Sequence, residues 1–510
     1  MADKFYVTTP IYYVNDIPHL GHAYTSVLSD IVARYQRLAG KEVFFLTGTD
    51  EHGAKVKKAA DEKNRDVREF VNENSSRFKE LLNVLNISNS DFIRTSDEER
   101  HWGGVLKLWK KLKENGDIYK GKYKGLYCLG CEAFITEKDL KDEKCVYHNI
   151  EPEVIEEENY FFKLSAYGER LKKAVLSEEF KIFPESRKNE TLAFLEAGLN
   201  DISFSRPSKD IKWGIPVPDD ASQTIYVWCD ALTNYISALG YGRGEENFNK
   251  FWPADFHVMA KDIMRFHIII WSAMLLSADI SLPKGFLIHG FINIGGKKMS
   301  KTIGNVIDPV EIVKEYGVDA LRYYFSREIS PFEDGDFTEE RFKAVYNANL
   351  ANGLGNYASR VFKMVLLNLD GKMEKPDDVL LSQAPFKENG YESFSVPYVF
   401  EHLIWPAYRK HMDLLEIDKA ADVVWDAISK LDNFIQYYKP FKLIKTDKER
   451  ATAVLWSLVN GLAQITWMIY PFMPKTAEAL MVGLGVNSFN NGQWDKFSLT
   501  PVGTLFPRKE

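Results

Sequence analysis

KFYVTTPIYYVNDIPHLGHAYTSVLSDIVARYQRLAGKEVFFLTGTD, residues 4–50, is the stretch that decides the fold. Phe5, Val7 and then Ile11 to Val14 read as a strand, closed by Asn15, Asp16 and Pro18. Leu20, Ala23, Tyr24, Val27, Leu28, Ile31, Val32, Tyr35 and Leu38 recur at three- and four-residue spacing, which predicts a helix that Gly40 stops. Val43 to Leu46 is a continuous apolar run, as a strand buried on both faces should be. Thr47-Gly48-Thr49-Asp50 then leads into another helix. Strand, helix, strand with short links begins a doubly wound parallel sheet.

From about Tyr119 the character changes: Lys, Tyr, Gly and Cys replace the helical pattern, and strand-like pieces such as Tyr160-Phe161-Phe162 appear. This predicts an insertion with its own fold up to about Gln223. The α/β alternation resumes with Ile225-Tyr226-Val227-Trp228, a helix through Tyr235, a strand near Phe256-His257-Val258 and a helix from Ile268 to Leu276. After Phe337 the pattern is almost wholly helical, and Gly371 to Ser395 has the most loop-like composition. The expected fold class is α/β, a doubly wound parallel-sheet (Rossmann-like) domain with an insertion, followed by an all-α helical bundle. Chain length alone, 510 residues, asks for several such units.

Composition sets the outer limits. At 45% hydrophobic and 27% charged, the chain is neither disordered nor fibrous. The longest apolar run, Ile268 to Ala278, is shorter than the ~20 residues of a membrane span and predicts a buried helix. No signal or transit pattern precedes Phe5, so no membrane partner is expected and the location should be cytoplasmic. A net charge of −7 gives no global attraction to nucleic acid, which would need local basic patches.

Three clusters carry chemistry. Pro18-His19-Leu20-Gly21-His22 sits where the first strand turns into a helix, and the spacing puts His19 and His22 on one face beside the helix N-terminus. That end suits phosphate, and Gly21 leaves room for close approach of a nucleotide ring. Alone, the pair reads as two surface histidines that cap or pack locally. Gly295-Gly296-Lys297-Lys298-Met299-Ser300-Lys301-Thr302 offers lysines and hydroxyls to a polyphosphate, although three lysines by themselves read as a solvated basic loop. Cys128-x-x-Cys131, thirteen residues, then Cys145-x-x-His148 is the pattern of a tetrahedral Zn²⁺ site. Four protein ligands leave no open position, so one structural zinc is expected. The remaining cysteine, Cys229, reads as a buried core thiol.

The first two clusters together resemble the paired signatures of the class I aminoacyl-tRNA synthetases, a HIGH-like HLGH and a KMSKS-like KMSKT. The resemblance is strongest to the methionyl branch, over essentially the whole chain, through TPIYYVNDIPHLGHAYT, FLTGTDEHG, IYVWCDALTNY and GKKMSKTIGN. It implies an ATP-dependent ligase that makes methionyl-adenylate and charges tRNA(Met), with Mg²⁺ accompanying ATP. It places ATP at His19, Gly21, His22, Lys298, Ser300 and Lys301, and Thr302 keeps the hydroxyl of the usual final serine. The methionine pocket is implied at Ile11, Tyr13, Asp50, Trp228, Ala231, Leu232, Tyr235 and His267. Asp50 matches the family's partner for the substrate ammonium, and Arg206 an arginine that helps order the same site. Ile11 and Leu232 depart from the leucine and proline of one branch but stay apolar. Asn356 and Arg360 match residues that read the anticodon, and Phe441 stands where many members carry tryptophan.

The implied regions are 1–118 and 225–297 for the two catalytic halves, 119–224 for the zinc-bearing connective insertion, 298–345 for the KMSKT loop and stem contact, and 346–510 for the anticodon-binding bundle. Longer relatives add a dimerising module after this bundle, so a monomer is expected. A thioether is apolar and polarizable, and rings such as Trp228 and Tyr235 can hold it through S–aromatic contacts of about 0.3–1.5 kcal/mol. Such a pocket discriminates by only ~1–3 kcal/mol per methylene, so homocysteine should be rejected imperfectly. Three other readings are weighed. Another class I synthetase for a small apolar amino acid would carry a larger editing insertion, or, for cysteine, zinc in the pocket itself. Small nucleotidyltransferases share the H-x-G-H turn but not the helical third. A silent zinc- and RNA-binding relative would not need intact HLGH, Asp50 and KMSKT.

Overall fold

The computed structural model describes residues 3–131, 133–135, 137–147, 149–209, 213–299, 306–386, 394–487 and 494–510. Two units divide the chain, Met1–Phe291 and Ile292–Glu510.

In the first unit, β1 (Lys4–Tyr13) is followed by α1 (Leu20–Leu38) and β2 (Glu42–Asp50), the β-α-β start read from residues 4–50. β1 and β2 belong to a six-stranded sheet with β3 (Asp91–Arg94), β4 (Lys181–Phe183), β5 (Phe256–Ala260) and β6 (Gly285–His289). Its spatial order is β3-β2-β1-β5-β6-β4 and every pairing is parallel. Tyr6, Val7, Phe45, Leu46, Val258, Met259, Phe286 and Leu287 are all buried, as a sheet covered on both faces requires. Parallel strands cannot be joined by tight turns, so each connection crosses over and all six carboxyl ends meet along one edge.

Differences from the sequence reading are local. Thr47 to Asp50 continue β2, and the next helix begins at Ala54. Of Ile225-Tyr226-Val227-Trp228, only Ile225 ends a strand, in a small antiparallel sheet with Ser205–Pro207 and Pro216–Val217; Val227–Leu232 is already helix. Part of 119–224 also joins the main sheet, because Lys181–Phe183 pairs with Gly285–Leu287 as its edge strand. A three-residue strand has no readable period, which is why it escaped notice. The rest of that region holds a long antiparallel pair, Ile118–Cys128 with Glu153–Phe162, flanked by Ala133–Ile135 and Ile202–Ser203. The apolar run at 268–278 is buried helix, as expected, although its first turns, Phe266–Trp271, are π-helical.

The second unit opens with a three-stranded sheet, Lys297–Lys298, Ile292–Ile294 and Gly335–Phe337. Beyond it the described residues are largely helical, with a short antiparallel pair, Lys372–Glu374 and Lys496–Ser498. The helix Lys448–Ile469 is long and apolar enough to span a bilayer by composition, but it is almost wholly buried among its neighbours. Aromatic polar tips fasten them to it: Tyr357 Oη donates to the Leu458 carbonyl at 2.9 Å, Tyr408 Oη to that of Met468 at 2.9 Å, and Trp405 Nε1 to Gln464 Oε1 at 2.7 Å. Arg322 is completely buried, and its guanidinium donates to the carbonyls of Phe472 and Pro471 at 2.9 and 2.8 Å. These are loop carbonyls at a helix end with no helical partner, and the charge replaces that partner.

Gly48 is where two neighbouring strands come closest. A Cβ there would stand 2.1 Å from the Ile93 carbonyl oxygen and 2.8 Å from Ile93 Cγ2. Gly48→Ala should therefore force β2 and β3 apart at a cost of about 1–3 kcal/mol, typical of overpacking. Thermal unfolding checks this; an unchanged midpoint would refute the close approach.

Candidate functional site

The turn after β1 is built around its two histidines. His19 is extended (φ −136°, ψ 178°) and caps α1: its Nδ1 accepts from the Gly21 amide at 3.1 Å, while His22 Nδ1 accepts from the His19 amide at 3.2 Å. Each histidine thus satisfies a backbone donor that the helix start leaves over, a capping box made of imidazoles. The rings stack with centroids 3.8 Å apart. A Cβ on Gly21 would meet the His19 ring at 3.0 Å, so glycine here admits the capping ring as well. Tyr12 and Phe78 support His22 from the far side, each ring 5.0 Å away. Burial pushes His19 down to about 4, and burial together with the His19 neighbour holds His22 well below its ordinary value. Both are neutral near pH 7, able to exchange hydrogen bonds with phosphate but not to supply charge.

His289, which the sequence reading missed, ends β6 and ties the sheet to α1: Nε2 lies 2.8 Å from Thr25 Oγ1, and Nδ1 lies 2.8 Å from the Gly290 carbonyl. Burial lowers it to about 4. Its signal was positional, a polar residue at the carboxyl end of an apolar run, where open parallel sheets bind ligands.

The residues assigned to the methionine pocket gather at the same edge. Tyr13 and Asp50 are register partners at the ends of β1 and β2. Tyr13 meets Trp228 edge-on at 6.5 Å, and Trp228 stacks on Phe266 at 3.9 Å with planes 7° apart. His267 faces Trp228 edge-on at 6.2 Å, and its Nε2 is 2.7 Å from Tyr235 Oη. The other nitrogen, Nδ1, is 2.9 Å from the Ile263 carbonyl; as the donor there it leaves Nε2 to accept the tyrosine proton. Burial lowers His267 to about 4 and raises the Tyr235 phenol, so the pair is neutral. Ala231 and Leu232 are buried in the same helix as Trp228, and Ile11 is half-buried against the main core. Asp50 is buried, with Thr95 Oγ1 at 3.5 Å from Oδ1. Arg206 is also buried, donating to Ser203 Oγ at 2.6 Å and the Ser205 carbonyl at 2.7 Å, with Tyr226 and Tyr127 rings 4.8 and 5.2 Å from its guanidinium. Phe266 belongs to this wall too and was not singled out, since one aromatic in an apolar run carries no signal.

In the insertion, the Sγ atoms of Cys128, Cys131 and Cys145 all lie within 4.8 Å of one another, and Cys131 and Cys145 are 3.6 Å apart. Tetrahedral zinc with sulfur ligands at 2.3 Å needs S···S separations of about 3.8 Å, so the three thiols fit a metal. The fourth predicted ligand, His148, lies outside the described residues. Burial raises the thiols of Cys128 and Cys131; a bound metal would have to displace those protons. Cys229 is buried and apart from this cluster, as read.

The second unit places Lys297 and Lys298 in a two-residue strand after the Gly295-Gly296 turn, where the Gly296 amide donates to Asp336 Oδ1 at 2.8 Å. Ser300, Lys301 and Thr302 lie outside the described residues. Asn356, exposed, opens the helix Asn356–Leu369, and Arg360 one turn on is ion-paired with Asp432. Phe441 is 45% exposed in the short helix Pro440–Leu443. Both helices pack against Lys448–Ile469.

Comparison with known proteins now bears on these arrangements. The family model "tRNA synthetases class I (M)" matches residues 5–141 and 135–362, and the model "Anticodon binding domain of methionyl tRNA ligase" matches residues 401–506. The chain is 44% identical to a methionine–tRNA ligase of Thermotoga maritima over 480 residues, 93% of this chain and 74% of that one. It is 42% identical to the Rickettsia bellii methionine–tRNA ligase over 491 residues, 96% and 94% of the two chains. A solved structure of Mycobacterium tuberculosis methionyl-tRNA synthetase in complex with methionyl-adenylate superposes with a TM-score of 0.91 at 35% identity, covering 99% of this chain and 100% of that one. With one family model spanning most of the chain, a second on its helical end and relatives above 40% identity, this chain belongs to the methionyl-tRNA synthetases, ATP-dependent ligases of class I.

Proposed function

We propose that this chain's own residues carry out methionyl-tRNA(Met) synthesis as follows. The carrying observation is the wall of Tyr13, Trp228, His267 and Tyr235 running up to Asp50 at adjacent strand ends. An apolar, polarizable, neutral wall beside a buried carboxylate is complementary to a thioether and an ammonium on one small molecule. Asp50 takes the ammonium, Trp228, Tyr235, Ile11, Ala231 and Leu232 enclose the side chain, and Arg206 helps order the floor. The methionine carboxylate oxygen then bonds to the α-phosphorus of ATP. The bond from that phosphorus to the bridging oxygen breaks, and pyrophosphate leaves with the electron pair. In the second step a ribose hydroxyl at the tRNA 3′ end attacks the acyl carbon and AMP leaves. No side-chain nucleophile is needed; position and charge do the catalysis.

Because His19 and His22 are neutral, their part is to orient phosphate oxygens, and the positive charge falls to Lys298 and Lys301, with Gly21 and Ser300 completing the ATP contacts. ATP enters as its Mg²⁺ complex. Cys128, Cys131, Cys145 and His148 would hold one Zn²⁺, which with four protein ligands supplies shape and no reacting group. Asn356, Arg360 and Phe441 read the anticodon. The functional regions are those set out from the sequence, working as a monomer in the cytoplasm.

Three experiments test this. Lys301→Ala should slow methionine-dependent ATP–pyrophosphate exchange about 10²-fold, the usual cost of one lost transition-state donor, with methionine affinity little changed. A loss within about twofold, worth only ~0.4 kcal/mol, would remove Lys301 from the site. Elemental analysis should find one Zn²⁺ per chain, and Cys145→Ser should release it and lower the unfolding temperature of the insertion; zinc-free, fully stable protein would overturn the assignment. Phe441→Ala should cost about 1–3 kcal/mol in kcat/KM for tRNA, one base stack, and leave exchange without tRNA nearly untouched. Equal losses in both assays would mean that Phe441 only packs.

A further inference from the structure

Below the proposed methionine site lies a hydrogen-bonded chain of buried polar groups for which the reaction as written has no use. His52 Nδ1 is 2.6 Å from Asp230 Oδ2, and His101 Nε2 is 2.7 Å from Asp230 Oδ1. His101 Nδ1 is 2.7 Å from Ser237 Oγ. The side chains of Asp230, His101 and His52 are 1%, 0% and 4% exposed. Burial works against charge on Asp230, yet the two imidazoles outweigh it and bring the carboxyl below its ordinary range.

An ionised carboxylate can only accept, so it dictates which protons the rings carry. His52 must donate from Nδ1 and His101 from Nε2. His101 Nδ1 is then left to face the Ser237 hydroxyl. One charge thereby sets the orientation of three partners that come from separate parts of the chain.

Those parts are the ones that carry the pocket. His52 follows Asp50 by two residues at the end of β2, and Asp230 lies between Trp228 and Ala231 on one helix. Ser237 follows Tyr235 by two residues, in the next short helix. His101 sits in the turn Glu98–Trp102, which Asp97 caps through its bond to the Arg100 amide. The carboxylate thus bridges the segment after Asp50 to the helix of Trp228 and Ala231, beside the bond that the Tyr6 hydroxyl of β1 makes to the Tyr235 carbonyl. A shallow apolar contact tolerates sliding; a two-oxygen carboxylate gripped by two rings does not.

We propose that Asp230 is a positioning residue for methionine: through His52, His101 and Ser237 it fixes the distance between Asp50 and the Trp228–Tyr235 wall. The proposal rests on the methionine site described above. It predicts that damage to the chain appears in methionine recognition and spares ATP.

Methionine-dependent ATP–pyrophosphate exchange on the full chain tests it with Asp230→Ala, Asp230→Asn and Ser237→Ala. Asp230→Ala should raise KM for methionine about tenfold or more, while KM for ATP stays within about twofold. Asp230→Asn still accepts from one ring, and the other ring can exchange tautomer to accept from the amide, so its effect should be clearly smaller than that of alanine. Ser237→Ala loses only the outermost partner of the chain and should raise the methionine KM about threefold. If Asp230→Ala does not fold, Ser237→Ala and Asp230→Asn decide the matter: unchanged methionine KM in both overturns the proposal. Methionine and ATP constants rising together, or a loss confined to kcat, also overturns it, since a merely structural role would act that way. Asp50→Asn separates this from the underlying reading. If that variant leaves the methionine KM unchanged, the methionine site itself is wrong. If it raises KM and the Asp230 and Ser237 variants do not, only the positioning role falls.

Discussion

Strand β1 has to pair with a neighbour on each side, and the rest of the catalytic unit is arranged around that need. Val7 is aligned with Phe45 in β2 and with Phe256 in β5, and Thr8 Oγ1 reaches His257 Nδ1 at 2.8 Å across 249 positions of sequence. Because the pairing is parallel, each neighbour must be reached by a crossover, and an insertion as long as 119–224 can leave and return without disturbing the register. The same parallelism sends every strand's carboxyl end to one edge. Tyr13, Asp50 and His289 terminate their strands there, and His19 follows in the first loop. The site is where it is because the sheet cannot put those ends anywhere else.

Legibility followed the range of the interactions. Strand β1, helix α1 and the stop at Gly40 could be read from residues 4–50 because burial imprints a period on neighbouring residues. Cys128, Cys131 and Cys145 could be read because two chelating pairs have a fixed spacing. Gly48 pressed on Ile93, Arg322 seated on Phe472, and Asp230 held between His52 and His101 could not. Each of these depends on a partner whose distance along the chain follows no rule. Lys181–Phe183 failed for a different reason: three residues are too few to show alternation, and only Gly285–Leu287 makes them a strand. The places of His19 and His22 at the start of α1 were readable, but not their charge. Their neutrality comes from burial and from each other, and burial is a property of the fold.

Charge is consequently distributed by distance from the chemistry. Near the strand ends burial favours the neutral forms of His19, His22, His267 and His289, while Asp50, Glu51, Arg206 and Asp230 are buried there too, Glu51 paired with Arg94. The chain as a whole carries −7, yet Lys439, Lys442, Lys445 and Lys448 stand exposed around Phe441. A screened, exposed cluster of that kind acts over about one Debye length, ~8–10 Å at ordinary ionic strength. It would attract a phosphate backbone locally and does nothing for the rest of the surface. A net acidic protein can therefore offer RNA one place and repel it elsewhere.

The indole of Trp228 ties the proposed pocket wall to the cysteine cluster. Its Nε1–H donates to the Cys131 carbonyl at 3.3 Å, so one edge of the pocket wall hangs on the cysteine cluster. Nearby, Arg265 pairs with Asp139 at 3.2 Å and lies 4.8 Å from the Tyr147 ring, holding the same loop against the helix that carries Phe266 and His267. From the other side, the helix of Trp228 is held through Asp230. The ring is thus clamped between Phe266, a backbone carbonyl of the thiol loop and its own helix, and none of the three can move without tilting it. A metal held by these thiols would need no open coordination position to matter there: fixing Cys131 would fix the acceptor, and with it the plane of the wall proposed to meet a thioether.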